Sequence, residues 1–305
     1  MKILITGGAG FIGSHVTDAY VKDGHEVVVV DDLSTGFEKN LNPNARFVRM
    51  NIRDKEINDF IRKEKFDIVN HHAAQIDVRK SVADPLFDAN TNILGTLNIL
   101  EGCVKTGVKK FIFASTGGAI YGEQKNFPAD ENHPASPLSP YGISKLAIEK
   151  YINYYHLQFN LSYTILRYGN VYGPRQNPHG EAGVVAIFLN KLLSNEQPVI
   201  NGDGFQTRDY IFVGDVVKAN LLSLNKTKND IYNVGTGREI DVNQLFKELL
   251  KITGKNVKEV HGSSPSGEQQ RSVISSEKIY KTTGWKPSIN LTEGLQKTFE
   301  YFKIK

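Results

Sequence analysis

The chain opens with the stretch that decides its fold, Lys2-Ile3-Leu4-Ile5-Thr6-Gly7-Gly8-Ala9-Gly10-Phe11-Ile12-Gly13. The first five of these residues form a short, mainly apolar run that predicts a buried strand, and glycines then recur at a spacing of three. Such glycines permit a tight turn, a close approach of the backbone to a pyrophosphate, and close packing of helix on strand. The helix that begins here adds unpaired N–H groups and the positive end of its dipole. We therefore expect a dinucleotide site, and the alternative is a glycine-rich turn that binds nothing.

Strand and helix patterns alternate through the first half of the chain. Further strands are predicted at residues 27–31, 46–50, 68–71, 111–115 and 163–167, with helices ending near Asp23 and at 54–65, 89–106 and 141–159. This alternation predicts an α/β fold with a Rossmann-type, doubly wound parallel sheet. After Gly173-Pro174 the patterns shorten, to helices at 184–194, 213–223, 242–253, 276–283 and 291–302 and strands at 198–200 and 231–234. We expect an NAD-binding domain over residues 1–173 and a mainly substrate-binding lobe over 174–305, with some later segments returning to the first.

The composition is that of an ordinary globular protein, since 40% of the 305 residues are hydrophobic and 23% are charged. No apolar run approaches the roughly 18 residues of a membrane span, and the strand at Lys2 leaves no room for a signal peptide. Cys103 is the only cysteine, so a disulfide within the chain is impossible. A cytoplasmic location is therefore expected.

The charge pattern argues against nucleic acids and metals. The net charge of +4 suits a phosphate-bearing ligand, but lysines and arginines are interspersed with acids, whereas a nucleic-acid surface concentrates basic residues on one face. His71-His72 is the only histidine cluster, and adjacent residues of a strand point to opposite faces. We expect neither nucleic-acid binding nor a metal site.

A second motif, Tyr141-Gly142-Ile143-Ser144-Lys145, carries the predicted chemistry. A tyrosine and a lysine four residues apart share one face of a helix. A phenol titrates near pH ~10, so it is a poor base at neutrality unless a nearby ammonium stabilises the phenolate. The lysine also keeps donors for a cofactor ribose. We therefore expect hydride chemistry at a nicotinamide, coupled to proton transfer by Tyr141.

The end of the second predicted strand selects the cofactor. Asp31 lies about 20 residues beyond the glycine loop, where an acid accepts hydrogen bonds from an adenosine ribose. A carboxylate there would repel a 2′-phosphate, and no arginine that could bind one occurs between Asp32 and Arg46. We expect NAD rather than NADP, and the alternative is that Asp31 only caps a turn.

Further motifs run over nearly the whole chain: the Ala73-Ala74 turn, Asn92-Ile93-Leu94-Gly95-Thr96, Leu166-Arg167-Tyr168-Gly169-Asn170-Val171-Tyr172-Gly173-Pro174-Arg175, Arg208-Asp209-Tyr210 and Gly284-Trp285-Lys286-Pro287. Together the motifs resemble the extended short-chain dehydrogenase/reductase family, and within it the UDP-glucose 4-epimerases. The resemblance implies that Tyr141 and Lys145 are catalytic and that Asn92 braces the helix and loop that line the cofactor. It also implies that Asn170 and Arg208 bind a diphosphate. For Arg208 the alternative is a surface ion pair with Asp209 or Asp215.

The resemblance further implies which residues contact each ligand. Those expected at NAD are Gly7, Gly10, Phe11, Ile12, Gly13, Asp31, Asp32, Ser34, Thr35, Gly36, Asn51, Ile52, Ala73, Ala74, Gln75, Asn92, Ser115, Tyr141, Lys145, Tyr168 and Val171. Those expected at a UDP-sugar are Asn170, Val184, Val199, Asn201, Arg208, Tyr210, Glu268 and Arg271.

Three positions depart from the family pattern. Relatives have a serine or threonine where this chain has Gly117, so we expect the hydroxyl of Ser115 or Thr116, or a water molecule, to assist Tyr141. Relatives read Arg-Pro-Gly-Asp where this chain reads Pro265-Ser266-Gly267-Glu268, so Glu268 is expected at ribose hydroxyls and Arg271 in place of the missing arginine. Ser272 stands where some epimerases have a bulky aromatic residue, which leaves room for an N-acetyl group.

The resemblance implies NAD-dependent epimerisation at C4 of a UDP-hexose, UDP-glucose or UDP-galactose, through a transient 4-keto sugar. The alternatives are a UDP-N-acetylhexosamine or UDP-uronate as substrate, a dehydratase or decarboxylase, and a protein that binds NAD without catalysis. Gly118 and Ala119 stand where the dehydratases and decarboxylases have carboxylates. Two helices carry more apolar surface than one packing face needs, at Leu97, Leu100, Ile148, Tyr151, Ile152 and Tyr155. The resemblance implies that these helices pair with those of a second copy, so a homodimer is also expected. The alternative for these side chains is burial within their own lobe.

Overall fold

The computed structural model describes residues 1–179, 183–264 and 269–304. Its strands, in chain order, are β1 (Lys2–Thr6), β2 (Glu26–Asp31), β3 (Arg46–Arg49), β4 (Ile68–His71), β5 (Lys110–Thr116), β6 (Ser162–Tyr168), β7 (Asn170–Tyr172), β8 (Ile200–Asn201), β9 (Thr207–Arg208), β10 (Tyr210–Phe212), β11 (Asp230–Val234), β12 (Ile240–Asp241), β13 (His261–Gly262) and β14 (Arg271–Ser272). Its helices are α1 (Phe11–Lys22), α2 (Glu56–Glu64), α3 (Val78–Ala83), α4 (Pro85–Ala89), α5 (Gly95–Thr106), α6 (Gly117–Ile120), α7 (Pro140–Phe159), α8 (Val184–Leu193), α9 (Val213–Asn225), α10 (Val242–Thr253), α11 (Glu277–Thr283) and α12 (Leu291–Lys303). A 3-10 turn (Glu38–Asn40) and a π-helical segment (Asn90–Leu94) are also present. None of the helices in the described ranges is long and apolar enough to span a membrane.

Seven of the strands form one parallel sheet in the order β11-β6-β5-β4-β1-β2-β3. The order runs outward from β1 in both directions, which places helices on both faces of the sheet. This is the doubly wound, Rossmann-type arrangement that the alternation predicted, and the fold class is confirmed. Ligands of such sheets bind at the carboxyl ends of the strands where the order reverses. In this chain that point lies between β1 and β4, beside the glycine loop.

The central strands are apolar on both faces because helices cover both faces. On one face Leu4 belongs to the same core as Ile99 and Cys103 of α5. On the other face Ile3 and Ile5 share a core with Val16 of α1 and with α9. Alternate residues of β1 thereby serve two cores, as the period of a strand requires.

The second half of the chain builds a core of its own and also returns to the sheet. Helices α8, α10 and α12 pack around Leu189, Leu245 and Leu295, in the region expected to be the substrate lobe. Strand β11 pairs with β6, and Val216 of α9 and Ile279 of α11 join the second core of the sheet. Later segments therefore return to the first lobe, and the boundary at residue 173 stays a prediction.

The structure differs from the sequence predictions most between residues 77 and 95. Helices α3 and α4 begin after Asp77 and Asp84, whose carboxylates accept hydrogen bonds from backbone amides. The π-helical segment then precedes α5, where one continuous helix over 89–106 was predicted. Helices of five or six residues contain too few turns for their periodicity to be detected. Their position matters, because α4 and the π-helical segment pack against α7.

Candidate active site

The glycine loop forms a cradle that side chains would fill. Gly7 has a φ of +73°, and a Cβ added to it would lie 2.6 Å from the amide nitrogen of Ala73. A Cβ on Gly13 would overlap the carbonyl oxygen of Gly7. Helix α1 then begins after Gly10, and no side-chain oxygen caps its first amides. Bare backbone at a helix N-terminus suits a dinucleotide pyrophosphate.

The adenosine end of this cradle is defined by Asp31 at the end of β2. Its Oδ2 accepts a hydrogen bond from the amide of Ala9 at 3.0 Å, and its Oδ1 accepts one from the amide of Leu33 at 2.8 Å. Burial raises the pKa of this carboxyl group, and the two amides oppose the shift. Asp31 does cap a turn, yet a carboxylate has about four acceptor positions, so ribose hydroxyls can still donate to it.

Neighbouring side chains close the loop around the same end. Asp32 accepts hydrogen bonds from the amide of Ser34 at 2.9 Å and from the side-chain amide of Asn51 at 2.6 Å. A Cβ on Gly36 would lie 2.9 Å from the Cβ of Ala9, so the segment with Thr35 and Gly36 packs on the glycine loop. The structure therefore brings together residues that the sequence analysis assigned to NAD.

Behind β4, Asn92 holds the loop that follows the strand. Its Oδ1 accepts a hydrogen bond from the amide of Gln75 at 2.8 Å, and its Nδ2 donates to the carbonyl of Gln75 at 2.9 Å. His71 hydrogen-bonds to Thr6 at 2.6 Å through Nδ1 and to Thr96 at 2.9 Å through Nε2, so both ring nitrogens are engaged in the core. The loop that contains Ala73, Ala74 and Gln75 is thus fixed on both sides.

Tyr141 and Lys145 lie at the start of α7, which is capped by the hydroxyl of Ser139 and begins with a proline. The Lys145 Nζ lies 5.9 Å from the Tyr141 ring centroid and donates to the carbonyl of Ala114 at 2.9 Å. Lys145 is only 3% exposed. This burial lowers the pKa of its amine to about 8, although the nearby carboxylates of Asp88 and Glu149 raise it. The pair is therefore a buried cation one helical turn from a phenol, which is the arrangement that proton transfer by tyrosine requires.

The structure separates the two candidate hydroxyls at the end of β5. The Ser115 hydroxyl donates to the Glu149 carboxylate at 2.6 Å, and Ser115 is only 3% exposed. Adjacent strand residues point to opposite faces, so Thr116 does not share this environment and is only partly buried. The hydroxyl of Thr116 and the side-chain oxygen of Asn170 both lie close to Gly118. This contact engages the proton of the Ser115 hydroxyl and favours Thr116, so the assistance by Ser115, by Thr116 or by a water molecule stays a prediction.

The space beside Gly117 is occupied by a distant side chain. A Cβ on Gly117 would lie 2.7 Å from the Cδ1 of Ile274 and 3.3 Å from the carbonyl oxygen of Tyr168. Ile274 also packs on Tyr121 in a small buried cluster. The serine or threonine of relatives is therefore replaced here by a glycine and a packed isoleucine.

Arg208 lies on β9, next to the β7–β10 pair that carries Asn170 and Tyr210 in register. Asp209 accepts hydrogen bonds from Thr236 and from the amide of Gly237, and Asp215 accepts them from Ser288 and the amide of Ile289. Both carboxylates are thus turned into the protein, so the alternative of a surface ion pair with Arg208 does not describe this structure.

Arg271, the expected substitute for the missing arginine, is held away from Arg208. On the parallel strands β9 and β14, Arg208 is paired with Ser272, whereas Arg271 is paired with Thr207, so the two arginines lie on opposite faces. The Arg271 guanidinium contacts both carboxylate oxygens of Glu239, at 2.6 and 3.0 Å, and lies 3.7 Å from the Phe127 ring centroid. These contacts argue against diphosphate binding by Arg271, which stays an untested prediction. Glu268 lies outside the described residues.

The other expected contacts differ in how their side chains are placed. Val199 is 40% exposed and Asn201 is exposed, both on the β8–β13 edge, and Val184 is the first residue of α8. The Tyr168 hydroxyl accepts a hydrogen bond from Asn220 at 2.9 Å inside the core. Ile52 is also buried in the first core.

Sequence analysis missed two buried acidic residues at this site. Asp88 on α4 accepts hydrogen bonds from Gln75, Asn92 and Ser144. Glu149 pairs with Arg167 at 2.6 and 2.9 Å. The signal for Glu149 was its spacing, four residues beyond Lys145 on the same helical face. Asp88 precedes Asn92 by the same spacing, but no pattern indicates its link to α7.

Comparison with known proteins identifies relatives that match this chain over nearly its whole length. The pattern of the protein family described as "NAD dependent epimerase/dehydratase family" matches residues 3–235. A putative UDP-glucose 4-epimerase of Methanocaldococcus jannaschii is 48% identical, over 99% of this chain and 98% of that protein. The crystal structure of a UDP-glucose 4-epimerase from Thermotoga maritima with UDP-glucose has a TM-score of 0.98 and 50% identity, over 100% of this chain and 99% of that one. A UDP-glucose 4-epimerase of Thermus thermophilus in complex with NAD has a TM-score of 0.94 and 42% identity, over 99% of each chain.

Proposed function

We propose, from the premise that this chain belongs to the NAD dependent epimerase/dehydratase family, that it interconverts UDP-glucose and UDP-galactose by epimerisation at C4. The observation that carries the proposal is the buried Lys145 amine beside Tyr141. The pair lies at the carboxyl ends of the parallel strands, where the glycine loop also lies. The relatives named as UDP-glucose 4-epimerases match this chain over nearly its whole length, which supports the same chemistry here.

The residues of this chain suit NAD. The glycine loop would hold the pyrophosphate, Asp31 the adenosine ribose, and Lys145 the nicotinamide ribose. Bound NAD would supply the capability that side chains lack, reversible acceptance of a hydride from a sugar carbon. Because the sugar is oxidised and then reduced again, no net redox change occurs.

The proton is handled by Tyr141. Its phenolate, stabilised by the Lys145 ammonium, takes the proton of the sugar 4-hydroxyl as the 4-keto sugar forms, and returns a proton when the opposite face is reduced. Thr116 would hydrogen-bond the same hydroxyl. Arg208 and Asn170 would hold the diphosphate while the sugar ring turns over, because a guanidinium binds phosphate oxygens through two parallel hydrogen bonds.

The test is conversion of UDP-galactose to UDP-glucose by the purified protein supplemented with NAD. We expect the two sugars to reach equilibrium without net formation of NADH, measured by chromatography of the nucleotide sugars and absorbance of the cofactor. Folded, NAD-supplemented protein that leaves UDP-galactose unchanged would contradict the proposal.

A second candidate substrate is a UDP-N-acetylhexosamine. Ser272 lies in register with Arg208 and is small, so an N-acetyl group would meet no bulky side chain at this position. Rates on UDP-N-acetylglucosamine within about tenfold of those on UDP-glucose would favour this substrate class. A UDP-uronate belongs in the same comparison. Against dehydratase or decarboxylase activity, Gly118 and Ala119 provide no carboxylate for elimination.

The assembly we propose is a homodimer through the outer face of α7, consisting of Ile143, Tyr151, Tyr154 and Leu157. These side chains are 54%, 41%, 50% and 69% exposed, which is unusual for apolar groups on one helix. The sequence analysis also assigned other side chains of α5 and α7 to the interface. Of these, Leu100 of α5 and Ile148, Ile152 and Tyr155 of α7 are buried in their own lobe, and Leu97 of α5 packs on the same core.

We expect light scattering at micromolar concentration to give twice the mass of one chain. Tyr154→Glu should shift the protein towards monomer, because a carboxylate would be buried at the interface. Tyr280→Glu is the matched control, since Tyr280 is 55% exposed on α11. A monomeric wild-type protein would contradict the proposal.

A further inference from the structure

A buried carboxylate joins three elements beneath the start of α7. Asp88 is 0% exposed. Its Oδ1 accepts hydrogen bonds from Nε2 of Gln75 at 3.1 Å and from Nδ2 of Asn92 at 3.0 Å, and its Oδ2 accepts one from the Ser144 hydroxyl at 2.6 Å. All three partners donate, which is the pattern that an ionised carboxylate accepts. Ser144 directly precedes Lys145 in α7.

The charge of Asp88 has no salt-bridge partner among the described residues. The other buried acid near Lys145, Glu149, is neutralised by two contacts with the Arg167 guanidinium. Burying a lone carboxylate is unfavourable unless a charge of opposite sign lies near. Lys145, itself buried, is the cation whose charge interacts with Asp88.

We propose that Asp88 is a positioning residue for the Tyr141–Lys145 pair, which fixes α7 against the cofactor loop and whose negative charge supports the Lys145 ammonium. This inference rests on the proposed function for its meaning in catalysis. The two roles of Asp88 can be tested separately, because its hydrogen bonds to α7 and the cofactor loop depend on shape, whereas its support of the Lys145 ammonium depends on charge.

The groups that face Lys145 determine the sign of the expected pH effect. Asp88 from α4 and Glu149 from α7 raise the pKa of the lysine, whereas burial lowers it. His71 and His72 from β4 are neutral at working pH, since burial holds the pKa of each far below its usual value. Arg167 from β6 offsets Glu149. Removal of the Asp88 charge therefore lowers the pKa of Lys145, so the ammonium loses its proton at a lower pH.

The test is the pH profile of kcat for Asp88→Asn. Asparagine has the same shape: its oxygen can accept from Gln75 and Asn92, and its amide can donate to the Ser144 hydroxyl. We expect the alkaline limb of the profile to move down by about one pH unit, with activity near pH 8 reduced roughly fivefold and activity near pH 6.5 nearly retained. A uniform loss at every pH, with the limb unmoved, would overturn the electrostatic role.

Two variants serve as controls. Ser144→Ala removes one hydrogen bond but keeps the Asp88 charge, and Asp84→Asn weakens the cap of α4. Both should reduce activity without moving the alkaline limb. If the wild-type protein does not turn over UDP-galactose, the pH dependence of NAD affinity, measured by equilibrium dialysis, replaces kcat as the readout. Identical affinity profiles for wild type and Asp88→Asn would then overturn the inference, so its failure is distinct from failure of the proposed function.

Discussion

Replacement of Tyr141 by phenylalanine is expected to reduce the rate of UDP-galactose epimerisation by about a thousandfold, within the range by which acid–base side chains contribute to catalysis. The phenol oxygen is the group that takes and returns the proton of the 4-hydroxyl, and the Lys145 amine lies one helical turn away. Phenylalanine keeps the ring and removes only this oxygen. The main-chain amide of Tyr141, which donates to the Ser81 hydroxyl at 3.2 Å, is unaffected.

The rate should be measured at saturating UDP-galactose, together with NAD affinity and the thermal unfolding midpoint. We expect the last two to change little, since the glycine cradle and the α7 packing are untouched. Tyr151→Phe is the matched control, because Tyr151 is on the same helix but 41% exposed and outside the pair. If Tyr141→Phe retained full turnover, another group would be the base and the mechanism would be wrong.

The sheet and the glycine loop could be predicted because their signals are local. Each central strand is a short run of apolar residues bounded by polar or glycine residues, and β1 and β4 were predicted with their observed bounds. The prediction that Tyr141 and Lys145 share a face needs only the period of a helix. Such features require no knowledge of which elements become neighbours.

The parts of the site that sequence did not reveal depend on contacts between distant residues. The sequence shows that Gly117 departs from the family pattern. It does not show that Ile274, from the other end of the chain, fills the space beside this glycine. Arg271 was a reasonable substitute by position, yet the register of a two-residue strand decides its face, and no local pattern specifies that register. Asp88 was missed because its partners come from separate elements.

The second large effect is expected at the buried ion pair that fastens α7 to β6. Glu149→Gln should lower the free energy of unfolding by about 3 kcal/mol, because Arg167 would keep its charge without a charged partner. The two side chains are 2% and 5% exposed, so solvent screens them little. Arg167 also donates to the Tyr121 hydroxyl at 2.9 Å, and that hydroxyl donates to Asn233 of β11 at 2.7 Å, so the pair links α7 to two strands.

Urea denaturation measures this loss. The control is Glu248→Gln, which breaks the ion pair between Glu248 and Lys251. Because the Lys251 side chain is 71% exposed, this change should cost less than about 1 kcal/mol. Equal effects of the two variants would show that the buried pair does not hold α7.

Replacing Glu149 and Arg167 together by leucine distinguishes charge from contact, because both buried charges then leave at once. We expect the double variant to be more stable than either single leucine variant, since an unpaired buried charge destabilises more than an apolar pair of similar volume. Its epimerase activity should remain reduced, because Ser115 loses its acceptor on α7, and the hydrogen bond from Lys145 to the Ala114 carbonyl then holds that helix less firmly to the end of β5.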